Sequence, residues 1–195
     1  MEVGYDRDRP SASAPGVGES VAGTFRRFLA WLIDLLAVTA LVFVVVSLID
    51  AAIGPTVEIR PDAATLPATV SVDRARLVLD AAVATGLSAA YFVAPWTLVG
   101  ASLGQLALRI RVRRAGSDKT LPVGRATARW LLLFPPVATL STFTTGVPLL
   151  GWFLWGGAAL WWAILFLTTV GSVTRQGLHD QLAGSVVSKR RVVAG

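Results

Sequence analysis

An aspartate set inside a long apolar run constrains this chain more than any other feature. From Phe28 to Ile49 the sequence is apolar except for Asp34, Thr39 and Ser47, which is long enough for one helix to cross a hydrocarbon core of about 30 Å. A carboxylate at that depth costs on the order of 2.5–3.5 kcal/mol on insertion scales, so it must face protein or water and not lipid. Arg27 stands at the edge of the same run. The two residues are two helical turns apart, roughly 10.5 Å of rise, so they share a face but do not reach each other. Each needs a partner from another part of the chain.

The rest of the composition agrees with a membrane setting. Hydrophobic residues make up 54% of the 195 and charged residues only 15%, against about 25% charged in an ordinary soluble domain. Mean hydropathy is +0.63. The net charge of +6 raises the question of nucleic acid, but the cations gather in one segment with no aromatic side chains between them to stack bases, so we expect no nucleic-acid partner. There is no cysteine, which removes disulfides, thiolate metal sites and thiol nucleophiles.

Read along the chain, residues 1–24 are rich in Gly, Pro, Ser and alternating charge, and are expected to be a disordered cytoplasmic tail. Residues 25–190 form one membrane domain, with spans expected at about 28–49, 77–99, 130–146 and 147–170. The first run is too long for the apolar part of a signal peptide, which is roughly 7–15 residues, and no small-residue cleavage motif closes it. The loop from Asp50 to Arg74 carries Pro55, Pro61 and Pro67 and reads as polar with some extended character. In the second span Ala82, Gly86 and Ala90 fall four apart, a small-residue ridge that admits a second helix closely. Pro135-Pro136 should kink or break the third span. In the fourth, Trp152 and Trp155 suit an interfacial belt while Trp161 and Trp162 suit packing.

Between Gly100 and Arg129 lie seven Lys or Arg residues against Asp118 alone. Ser102 to Leu108 reads as a short interfacial helix. Arg109 to Arg113 alternates with period two and is followed by turn chemistry at Ala115 to Lys119, which predicts a hairpin returning through Thr120 to Val123, to which the β-branched stretch near Val186 could add a strand. The excess of cations places this segment, and the tail with Arg175, Lys189, Arg190 and Arg191, in the cytoplasm. Two segments on one side require an even number of crossings between them. Four spans with both termini cytoplasmic satisfy that.

Chemistry-bearing residues are few. His179 is the one histidine; beside Asp180, with no thiol and no G-x-S-x-G turn, it makes a poor start for a metal site or a hydrolase triad. Asp180 taken alone reads as a cap or turn residue. We therefore expect no enzyme, no cofactor and no metal.

Four stretches taken together resemble the RDD family of bacterial membrane proteins: Arg27-x-x-Ala30-x-x-Ile33-Asp34, Gly100-Ala-Ser-Leu-Gly-Gln-Leu-Ala-Leu-Arg-Ile-Arg-Val112, Arg129 at the third span, and Arg175-Gln-Gly-Leu-His-Asp-Gln-Leu-Ala-Gly184. The arginine and two aspartates that give the family its name map onto Arg27, Asp34 and Asp180. Gln105 is a departure, since many members carry lysine after the second glycine. The resemblance suggests movement of an ion or small solute across a cell membrane.

The architecture expected is all-α, a four-helix transmembrane bundle with a small cytoplasmic β-hairpin or interfacial helix. Arg27, Asp34, Arg129 and Asp180 are expected to form one polar cluster, with Arg27 on Asp180 and Asp34 left to Arg129 or water. Transport of an ion or small solute competes with a non-catalytic assembly or accessory role. The expected partners are the lipid bilayer and a further copy or another membrane protein.

Overall fold

The computed structural model describes residues 22–60, 69–134, 148–172 and 176–189. Helix α1 (Thr24–Ile53) runs 30 residues because no Gly or Pro interrupts it. It ends at Gly54, whose φ of 94° no ordinary side chain favours and whose N–H donates to the Asp50 carbonyl at 2.9 Å. Strands β1 (Val57–Arg60) and β2 (Thr69–Val72) pair antiparallel, with Val57 opposite Val72. Helix α2 (Arg74–Leu98) starts where the Asp73 carboxylate accepts from the backbone N–H groups of Ala75 at 2.9 Å and Arg76 at 3.1 Å. It closes one turn past Pro95, at the left-handed Gly100 (φ 76°).

There follow the short helix α3 (Leu103–Ala107), strand β3 (Ile110–Arg114), helix α4 (Val123–Leu133), helix α5 (Pro148–Gly171), the short helix α6 (Leu178–Leu182) and strand β4 (Ser185–Lys189). Helices α1, α2 and Leu149–Gly171 of α5 are long and apolar enough to cross a membrane. Their outer faces are bare apolar surface, with Phe43, Leu48, Trp152 and Phe153 all exposed, as lipid-facing helices require. The protein is a mostly helical, multi-pass membrane protein. Its core sits at one end, where Phe92, Trp96, Ile110, Val112, Leu121, Trp130 and Val187 pack around the β3–β4 sheet.

Several expectations are corrected. The strand beside β3 is β4 and not Thr120 to Val123: Ile110 faces Lys189 and Arg114 faces Ser185, antiparallel. The turn after Arg114 does form, with Arg114 N–H donating to the Lys119 carbonyl at 3.1 Å, but Pro122 then opens α4 with no further ladder. Closing the sheet through the distant β4 buries Val112 and Val187 on the core, which a solvent-edged local hairpin would not. In the loop read as polar with some extended character, the extended part is a second sheet, β1–β2. The Ala82, Gly86 and Ala90 ridge is exposed, and a Cβ on Gly86 would meet nothing within 4 Å, so among the described residues no helix packs on it. Of the span expected at 130–146, only 130–134 are described. The described part of α4 rises about 16 Å, half a bilayer core. It stops at Leu133 because Phe134 precedes Pro135 and is pushed out of helical geometry (φ −125°, ψ 69°). The carbonyls left open there are met from α5, as Trp161 and Trp162 donate their indole N–H groups to Leu132 O at 2.7 Å and Leu133 O at 2.9 Å. Pro135-Pro136 lies outside the described residues, as does nearly all of the expected 1–24 tail. Ala22, inside that tail, is fully buried and donates its N–H to Val187 O at 3.1 Å.

Candidate functional site

Two buried carboxylates organise the β3–β4 end of the bundle. Asp34 is 2% exposed and faces α2 and α3. It accepts from the Tyr91 hydroxyl at 2.9 Å, the Ser102 hydroxyl at 2.5 Å and the backbone N–H of Gly104 at 2.7 Å. Three donors compensate a carboxylate withdrawn from water. The third exists only because residue 104 is glycine: a Cβ there would stand 2.2 Å from the Ala30 carbonyl oxygen and 3.0 Å from the Asp34 carboxyl carbon. Helix α3 thus lies directly on α1, its outward Leu103 and Leu106 exposed.

Asp180 is fully buried. It accepts from Arg27 Nη1 at 3.0 Å, from Arg129 Nη1, and from the Ser185 hydroxyl at 3.2 Å. Arg27 also donates to Val187 O at 3.1 Å, and Arg129 to the Ser185 hydroxyl at 2.5 Å. One carboxylate therefore joins α1, α4, α6 and β4. Burial alone would raise the Asp180 carboxyl, but the Arg129 guanidinium, with His179 and Arg27 beside it, holds it below the ordinary carboxylate value. Burial pulls the His179 ring down to about 4 against the attraction of Asp180, with Arg129 and Arg27 adding to the fall, so the ring is neutral at pH 7.

Of the pairings expected from the sequence, Arg27 with Asp180 is present. Arg129 also pairs with Asp180 and not with Asp34. Asp180 is neither cap nor turn but the hub of the cluster. The two acids form separate nodes joined by a bridge: Gln105 Oε1 accepts from Ser102 N–H at 3.0 Å and from the Trp96 indole at 3.1 Å, and Arg129 lies over the Trp96 ring at 5.1 Å. A lysine at position 105, which the resemblance leads one to expect, could not accept those two bonds. Tyr91, Trp96, Ser102, Gly104, Gln105 and Ser185 were not singled out as partners from the sequence. Nothing in the spacing of the glycine-bearing stretch from Gly100 to Gly104 says that it folds onto residue 34.

A cavity of about 290 Å³ opens between the nodes. Phe28, Trp31, Phe92, Phe134, Trp162 and Phe166 supply aromatic wall, and Arg27, Asp34, Gln105, Arg129, Thr169 and His179 supply polar wall. Arg129 Nε and His179 Nδ1 are buried without a hydrogen-bond partner. Among the described residues no three His, Cys, Asp or Glu side chains gather as a metal would need. At the opposite end a second cluster ties α1 to α2: Arg76 donates to Asp50 at 2.7 Å and lies 3.6 Å from Asp80, which accepts from the Thr56 hydroxyl.

Spanning helices, a buried acid facing a short helix laid on the first span, and an arginine-bound acid after the last define a multi-pass membrane domain stapled at one end by buried charge. The sequence model of the RDD family matches residues 21–184, and the chain belongs to that family. No curated protein and no solved structure matches it.

Proposed function

We propose that this RDD protein moves a small solute or ion across the cell membrane and holds it on the way in the cavity between α1, α2, α4 and α5. The observation that carries the reading is that cavity: about 290 Å³ walled by side chains of four helices, at the level where two arginines and two acids are gathered. Polar groups inside a membrane bundle are costly, and they are found where a pathway needs them. The proposed topology has four spans, the fourth made by α4 with the residues after it, and cytoplasmic termini, on the strength of the seven cations between residues 100 and 129.

An accessory or assembly role is the second reading. It is favoured by the full engagement of both acids, Asp34 on three donors and Asp180 on two arginines, which leaves neither as a free carboxylate for coupling. Purified protein in proteoliposomes, tested for flux of monovalent cations, protons and small organic acids, separates the two. Flux above that of protein-free vesicles supports transport. Vesicles containing folded protein but showing no flux of any of these turn the choice to the accessory role.

A further inference from the structure

We propose that a second cleft, sharing no residue with the cavity, binds the headgroup of an anionic phospholipid, its phosphate held by Arg114 and Lys119. Three joints build the cleft. Helix α2 ends at the left-handed Gly100, whose carbonyl accepts from Val112 N–H at 2.7 Å and so ties β3 to the end of the span. The turn after β3 is closed by Arg114 N–H on the Lys119 carbonyl at 3.1 Å, which sets those two residues abreast. Helix α4 runs back along α2, with Trp130 donating to the Ser88 hydroxyl at 3.1 Å, so its first residues meet the last residues of α2. Thr97, Arg114, Lys119, Thr120, Pro122 and Val123 thereby surround an open cleft of about 590 Å³, with the buried Leu121 as its floor.

Charge selects an anion. Arg114 and Lys119 are both exposed, and among the described residues neither pairs with an acid. Asp118 is the one acid between residues 100 and 129, and it is taken by Arg113. Like charges held abreast repel, so the pair gains when an anion sits between them. A guanidinium and an ammonium together suit a phosphate, with its several acceptor oxygens, and Thr120 adds a hydroxyl. The start of α4 has no side-chain cap and no acid in its first turn, so the positive end of its dipole adds to the same field.

Position selects a lipid. Helix α2 is long and apolar enough to cross a membrane, so the cleft at its end lies at headgroup level. Leu98, Val99 and Val123 stand exposed at this end of α2 and α4, where acyl chains hanging from a bound headgroup would cover them. A dissolved phosphate would leave that surface bare. A nucleotide would find no aromatic ring in the cleft on which to stack its base. Basic pockets between spanning helices take anionic headgroups, and each Lys or Arg near such a surface contributes roughly a fivefold factor in affinity. A zwitterionic headgroup brings its own cation, which these two side chains oppose.

Native mass spectrometry of the full chain, released from detergent doped with equal amounts of phosphatidylglycerol and phosphatidylcholine of one chain length, counts the bound lipids of each kind. Phosphatidylglycerol is expected in at least tenfold excess, and equal amounts of the two overturn the proposal. Arg114→Gln with Lys119→Gln should cut that excess at least tenfold. Arg109→Gln with Arg125→Gln removes the same charge from exposed positions of the same segment outside the cleft, and should leave the excess within twofold of wild type. If both pairs lower it alike, the attraction belongs to the whole basic surface and the cleft is no site. Val123→Glu places an acid in the cleft and in the first turn of α4, where it suits the helix dipole. Loss of the excess with no fall in melting temperature is expected, and a wild-type excess in that folded variant overturns the site. Glycerol 3-phosphate in hundredfold excess over the lipid should displace none of it; displacement makes the ligand a dissolved phosphate and overturns the lipid assignment.

Discussion

Gly104→Ala tests the contact on which the Asp34 node depends. The added methyl would lie 2.2 Å from Ala30 O and 3.0 Å from the Asp34 carboxyl carbon. The first of these is helical backbone and cannot swing aside, so α3 must lift from α1. Overpacking of this kind costs roughly 1–3 kcal/mol. Lifting α3 also stretches the Gly104 N–H and Ser102 hydroxyl bonds to Asp34, now 2.7 and 2.5 Å, and a hydrogen bond to a charged group is worth about 1.5–3 kcal/mol. Together the expected loss is about 3–5 kcal/mol, a fall in melting temperature on the order of 10 °C for a chain of this size. Gly86→Ala is the control, because its Cβ meets nothing within 4 Å on the exposed side of α2. It should be neutral or gain up to about 1 kcal/mol from helix propensity. Thermal melts of both variants in one detergent decide the matter. If Gly104→Ala melts within a couple of degrees of wild type, the close seating of α3 on α1 is wrong. Combined with Asp34→Asn the loss should be clearly less than additive, since both changes break the same bonds.

Asp180→Asn should destabilise by about 3–5 kcal/mol, because Arg27 and Arg129 are left facing an amide; adding Arg129→Gln should return part of it, and a single variant as stable as wild type in chemical denaturation would sink the hub role. Asp34→Asn keeps the shape but turns an amide N–H₂ toward donors, so a loss of about 1–3 kcal/mol is expected, while wild-type stability would argue against the three-donor cage. His179, with its ring pKa lowered from 6.5 to about 4 by burial, resists protonation when folded; its contribution is fully present above pH 6.5 and drains away as pH falls from 6.5 toward 4, by up to about 3 kcal/mol. As the one histidine in the chain, it should account for the slope in that window, and His179→Gln should flatten it; an unchanged slope refutes a buried neutral ring. With no native cysteine, an impermeant thiol reagent on intact cells should label Ser71→Cys in β2 and should label Ser117→Cys only after lysis. The opposite pattern inverts the proposed topology.

Sequence alone determined what depends on local chemistry and on the bilayer as solvent. Long apolar runs make α1, α2 and α5 whatever their neighbours do, because only hydrogen-bonded helices satisfy the backbone there. For the same reason an aspartate at position 34 had to be internal, and Arg27, two turns away on the same helix, had to seek a partner other than Asp34. The RDD membership was legible too, in four short stretches whose order and spacing survive without any knowledge of contacts. What the tertiary structure decided is who meets whom. Residues 27 and 180 are brought together across 153 positions of chain, and Asp34 meets Ser102 and Gly104 across 68 and 70; no periodicity encodes such distances. The partner of β3 was misread because turn chemistry after Arg114 favours a local return, while burial of Val112 against Val187 rewards the distant one. Arg129 pairs with Asp180 instead of Asp34 for an equally non-local reason: α3 occupies Asp34, through a glycine small enough to let its backbone N–H into contact.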